Sequence, residues 1–205
     1  MKKKTNLLLL LAILIAGFDC LAAAPESNKA DDQPMDYALA YPIFDAYFMC
    51  GQHMEGELEY LGDALGTDCL IARITDHDGH EFARTYEGNG AKNEDWFGWA
   101  RPVLSPCECK VAKININPVV NHPGKLGKPP ATFIVLEQAD GIYFLLAHVT
   151  DLNVAVGESV NPGQKLGVVG NNGYARNPHI HMGAWQDGKP LQIRFDIRRK
   201  QPADQ

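Results

Sequence analysis

The sequence predicts an all-β, mostly antiparallel domain, and two observations carry that reading. Short apolar stretches recur between turn signals, most densely from Val154 to Gly173, where Gly157, Pro162-Gly163, Gly167, Gly170 and Gly173 punctuate runs such as Lys165-Leu-Gly-Val-Val169. Apolar runs of this length, bounded by Gly, Pro and Asn, read as strands joined by tight turns. Helical periodicity is nearly absent as well, the one candidate being Gly56-Glu-Leu-Glu-Tyr-Leu-Gly62. Many strands with almost no helix argue an all-β domain.

The elements follow in chain order. Met1-Lys-Lys-Lys-Thr-Asn, then the apolar run Leu7 to Phe18, then Ala22, Ala23 and Ala24 form the basic, apolar and small-residue regions of a secretory signal peptide over 1–23. Cys20 lacks the small residues before it that a lipidated cysteine needs. Residues 24–36 are polar and Pro-bearing and read as a flexible leader. Residues 37–200 then form the domain. Cys69 to Thr75 reads as a strand, Asp76-His-Asp-Gly79 as a turn, and His80 to Tyr86 as the returning strand of a hairpin. Val103 to Ile116 holds one or two strands, and Asn117 to Pro130 is a long Pro/Gly loop. Thr132 to Leu136 and Ile142 to Val149 are strands, followed by the punctuated run already quoted.

Composition narrows the function. The net charge is −6, and no basic cluster lies beyond the signal region, which argues against a nucleic-acid partner. After the signal no apolar run is long enough to span a bilayer. Export to the periplasm or the extracellular space leaves Cys50, Cys69, Cys107 and Cys109 in an oxidising compartment. Four cysteines allow three pairings and sequence does not choose among them. Pairing Cys50 with Cys69 leaves the short Cys107-Glu-Cys109 bridge, which would be strained. Zinc-site spacing of the C-x-x-C kind is missing, so the cysteines read as structural.

The chemistry concentrates in the histidines. In Pro178-His179-Ile180-His181 the two imidazoles are two apart, and on a strand they share a face. The turns after His148 would return the chain to that pair. Imidazole is the commonest metal ligand and the side chain best suited to proton transfer near neutral pH. Leu145-Leu-Ala-His148, Val156-Gly157 through Val160, Gly163-Gln164-Lys-Leu166-Gly167, Gly170-Asn-Asn-Gly173 and Pro178-His179-Ile-His181 together resemble the M23, or lysostaphin-like, zinc metallopeptidases across 130–186. The resemblance implies a sheet of the M23 (duplicated hybrid motif) type with a small irregular N-terminal extension. It also implies one zinc per chain, His181 as a ligand, and His148 and His179 as catalytic acid/base and electrostatic groups.

The family takes its other ligands from an upstream H-x-x-x-D, and here the chain departs from it. Ala64-Leu-Gly66-Thr-Asp68 keeps the Gly and the Asp but has Ala in the place of His. Asp68 is the expected carboxylate, with Asp95 in reserve. His53 is the expected imidazole, since it is the only histidine between the signal and Asp68. His77 and His80 belong to a turn that lacks the later ligands of a calcium loop, and His122 to a Pro/Gly loop. Trp96, Phe97, Trp99 and Trp185 read as packing residues before groove residues.

By that resemblance the chain is an exported zinc metalloendopeptidase acting on peptide bonds, in bacterial peptidoglycan by the family's substrate class. Its extra length ahead of Asp68 raises the further expectation of a segment that covers the groove. A metal-free relative that binds peptidoglycan or activates a hydrolase is the competing reading, prompted by Ala64. A biotinyl- or lipoyl-carrier sheet is the third, but Lys165 lacks the flanking residues of a modified lysine.

Overall fold

The computed structural model describes residues 34–198. The signal peptide and most of the leader read from the sequence lie outside the described residues. Fourteen strands form in chain order: β1 (Tyr37–Ala40), β2 (Phe48–Gln52), β3 (Thr67–Ile71), β4 (Arg73–His77), β5 (His80–Arg84), β6 (Pro102–Leu104), β7 (Cys109–Asn115), β8 (Phe133–Gln138), β9 (Tyr143–Ala147), β10 (Val149–Thr150), β11 (Ser159–Val160), β12 (Lys165–Val169), β13 (Ile180–Gln186) and β14 (Lys189–Phe195). The only helical element among the described residues is a 3-10 turn at Asn93–Asp95.

A nine-stranded sheet dominates, with its main path running β1-β14-β13-β9-β8-β7-β11. All its pairings are antiparallel except β1 with β14. β13 is the hub. It pairs with β9 along one edge, and on the other with β3 through Ile180–Met182 and β14 through Ala184–Gln186. β10, β12 and β6 form a three-stranded sheet, and β4 pairs only with β5.

Alternation decides what each face does. Ile180, Met182 and Ala184 on β13, Phe144 and Leu146 on β9, and Ile134 and Leu136 on β8 are fully buried. They share one face with period two and pack against Val103, Leu166 and Val169 in the core. His181, Gly183 and Trp185 therefore point to the opposite face of β13. Burying such side chains contributes roughly 1.5–3 kcal/mol each, so a slip of one residue that turned the histidines inward would cost many times that.

Two expectations change. The segment 56–62 is a series of turns, not a helix: Gly56 and Gly62 both adopt positive φ, and Leu58, Tyr60 and Leu61 are exposed. A helix that short has no buried apolar face to stabilise it. The single strand expected over 69–75 is two strands, because the chain leaves the main sheet at Ala72 and β4 turns back on β5 through Asp78-Gly79, both with positive φ. The cysteines pair Cys50–Cys69 and Cys107–Cys109, the first joining β2 to β3 at directly opposed positions.

Candidate metal centre

Sheet register assembles the site. Gly51 on β2 stands opposite Asp68 on β3, Asp68 opposite His181 on β13, and His181 opposite Ala147 on β9. His148 follows Ala147 directly, His179 precedes β13 by one residue, and His53 follows β2 by one. Four imidazoles and one carboxylate drawn from sequence-distant segments thus meet at one end of the sheet's open face.

Asp68 is the centre of the group. Its Oδ1 lies 2.9 Å from His181 Nδ1 and 3.6 Å from His179 Nε2, and its Oδ2 lies 3.6 Å from His53 Nε2. The His53 and His181 rings stack at 5.2 Å, and the His148 and His179 rings meet at 4.5 Å. One ligand atom each from His53, Asp68 and His181 lies within 4.8 Å of the others. The structure therefore brings together all five residues singled out in the sequence. Asp95 is elsewhere engaged, its carboxylate accepting the Lys92 amide in its own 3-10 turn. His77 sits exposed beside Asp78, and Lys165 begins β12 opposite Leu104, not at a hairpin tip. Trp96 packs on Tyr86 and Trp185 on Tyr143.

Each imidazole is oriented by a main-chain carbonyl. His148 Nδ1 donates to Asn172 O at 2.8 Å, His179 Nδ1 to Asn177 O at 2.8 Å, His53 Nδ1 to Asp63 O at 3.0 Å, and His181 Nε2 to Gly62 O at 3.0 Å. A carbonyl only accepts, so those nitrogens carry the proton. The opposite nitrogen of each ring is left to the site: Nε2 of His53, His148 and His179, and Nδ1 of His181. The Asn172 carbonyl is itself held by buried bonds, with Asn172 Oδ1 accepting the Thr132 amide and Nδ2 donating to Val149 O. His148 takes a positive φ of 67°, unusual for a residue with a side chain.

Electrostatics follow from this packing. Burial pushes the Asp68 carboxyl up, but the His179 and His181 imidazoles beside it outweigh burial and hold it well below the usual carboxylate range. Burial pushes His181 down, but Asp63 and Asp68 raise it to about 9. Burial, helped by His179 and opposed by the Asn172 carbonyl, lowers His148 to about 3. His181 thus shares a proton with Asp68 at the point where two acceptors otherwise face each other. A dication between His53 Nε2, Asp68 and His181 Nδ1 would replace that proton. Two imidazoles and a carboxylate with their outer nitrogens already satisfied are a donor set that suits zinc.

One side chain that the sequence reading did not single out belongs to this cluster. Asp63 Oδ1 lies 3.2 Å from His181 Nε2. The signal that pointed there was faint: Asp63 falls in the same Gly-rich stretch as Asp68, one residue from the Ala64 that departs from the motif.

The described residues thus gather four histidines and a carboxylate on the open face of an antiparallel sheet. Residues 100–193 match the model of Peptidase family M23. His148, His179 and His181 lie within the match, while His53 and Asp68 precede it. No curated protein matches the chain. Among solved structures it is similar to a chain of the SpoIIIAH–SpoIIQ complex, at 23% identity over 46% of this chain and 60% of that one (TM-score 0.37). It is also similar to the catalytic domain of the antimicrobial peptidase lysostaphin from Staphylococcus simulans, at 19% identity over 69% and 83% (TM-score 0.42). Pseudoalterin, an M23 metalloprotease from the deep sea, matches at 17% identity over 77% and 72% (TM-score 0.41). The chain spans less than two thirds of the SpoIIIAH–SpoIIQ chain it matches.

Proposed function

We propose that the protein is an exported zinc metalloendopeptidase that cuts peptide bonds of bacterial peptidoglycan, with His53, Asp68 and His181 as ligands and His148 and His179 as catalytic groups. The observation that carries this reading is the convergence of the three ligand atoms within 4.8 Å, with the two further imidazoles against them. The export signal and the M23 segment support the substrate class.

Zinc held there would lower the pKa of a water and polarise the scissile carbonyl. The chain's own groups supply the remainder. His148 is neutral through the working range because burial disfavours its cation, so its Nε2 can accept a proton. His179 presents Nε2 to the same space, and with a proton on that nitrogen as well as on Nδ1 its imidazolium would stabilise negative charge developing on the carbonyl oxygen. The Asn172 and Asn177 carbonyls keep both rings aimed without cost at the moment of reaction.

Metal content and hydrolysis of purified peptidoglycan test this together. We expect about one zinc per chain, lost in His53→Ala, Asp68→Ala and His181→Ala. His148→Ala and His179→Ala should keep the metal and lose roughly 10²-fold or more of the rate, the scale of a lost acid–base group. Wild-type protein that takes up no zinc and is retained on peptidoglycan without cutting it would replace the enzyme with a binding or activator protein.

A further inference from the structure

We infer that Asp63 is a positioning residue that holds both candidate imidazole ligands, using its main chain for one and its side chain for the other. This rests on the metal-site reading above. The Asp63 carbonyl accepts His53 Nδ1–H at 3.0 Å, and the Asp63 carboxylate Oδ1 lies 3.2 Å from His181 Nε2, beside the Gly62 carbonyl at 3.0 Å. The two nitrogens of an imidazole point away from each other. Asp63 therefore grips each ring from behind, leaving His53 Nε2 and His181 Nδ1 to face Asp68.

The turn that places Asp63 is built for this position. The Asp63 and Ala64 amides both donate to Tyr60 O, Gly66 N donates to the Asp63 carbonyl, and His53 N donates to Gly66 O. The loop between the two upstream ligands thus closes on itself and returns to His53. Leu65 adopts a positive φ of 55° inside it. A Cβ at Gly66 would press on Met182 O, Asp63 O and the His181 ring, so the turn lies directly on β13.

A carboxylate behind a ligating imidazole does two things. It fixes the ring rotation, and it raises the basicity of the nitrogen that faces the metal. The carboxylate is nearly half exposed and its described contact is with His181. Its removal should disturb the site far more than the fold.

The test measures zinc and cobalt affinity by chelator competition on the full mature chain, for wild type, Asp63→Ala and Asp63→Asn. The absorption spectrum of the cobalt-loaded protein reports ligand geometry. Asp63→Ala should weaken both metals by roughly 10–100-fold, the range of an outer-shell carboxylate, with an altered cobalt spectrum. Asp63→Asn, which keeps an acceptor without the charge, should fall between the two. The metal-free variants should melt within a few degrees of wild type, which a fold defect would not allow. Equal affinity in wild type and Asp63→Ala overturns the role of Asp63 and leaves the metal site standing. No metal binding by wild type overturns both.

Discussion

At the scale of single residues the site is a set of opposed titrations, and these set how the metal-free protein responds to pH. His148 stays neutral to about 3 because burial disfavours its charge, whereas in the unfolded chain it takes up a proton near 6.5. The unfolded state then binds more protons, so stability falls as pH drops from about 6.5 toward 3. His181 acts in the other direction. Burial opposes its charge, but Asp63 and Asp68 lift it to about 9, so its contribution is full below 6.5 and is lost as pH rises through 9. The depressed Asp68 carboxyl adds to the loss in acid, below its ordinary value of 3.8. Urea midpoints of chelator-treated protein are expected to peak near pH 6.5 and to fall on both sides. His181→Asn should flatten the alkaline side, and a wild-type profile level from pH 6.5 to 9 would contradict the assignment. Much of this group was legible in the sequence. His179 and His181 stand two apart, a spacing that gives them a common face on a strand, and the M23 resemblance added His148. Asp63 was not legible, because its role depends on a turn closing over β13 and no local pattern encodes that.

At the scale of elements, the strands were readable and the turns between the upstream ligands were not. Apolar alternation marks β8, β9 and β13, where one face is buried and the register is strongly specified. The 56–62 segment has helical spacing of Leu58, Leu61 and Gly62, yet its apolar residues find no surface to cover. Its main chain instead meets β13, where Gly62 packs on Gly183 so closely that a Cβ at 183 would run into the Gly62 carbonyl. Gly183→Ala should push the turn away, free His181 Nε2 from Gly62, and weaken metal binding by roughly 10-fold or more, as loss of an outer-shell partner does. Chelator competition on Gly183→Ala checks it; metal affinity unchanged from wild type would show that the turn is not needed.

At the scale of the whole molecule, the site depends on long-range closure. His53 and Asp68 come from the N-terminal strands and His148, His179 and His181 from the C-terminal ones, and the ligand-bearing strands meet where β3 lies against β13. The Cys50–Cys69 bridge ties β2 to β3 one residue from Asp68. Closing a loop of this length stabilises a fold by about 3 kcal/mol. Replacing both cysteines by serine should therefore lower the unfolding free energy by about that much, read from denaturant titrations, while the Cys107–Cys109 pair, which closes a far shorter loop, should matter less. A double variant as stable as wild type would show that the β2–β3 pairing holds without it. The pairing itself could not be read from the sequence, because four cysteines do not declare which strands will be neighbours.

The four carbonyls behind the imidazoles carry one more consequence. A hydrogen bond to a main-chain oxygen survives nearly any side-chain replacement at the residue that supplies it. Asn177 could in that sense drift freely and still orient His179. The fragility moves to places that look chemically blank, the glycines at 62, 66 and 183 whose missing side chains let the backbone come that close. In a mutational scan the deepest losses outside the five central residues should fall on hydrogen atoms, at positions that contribute no functional group at all.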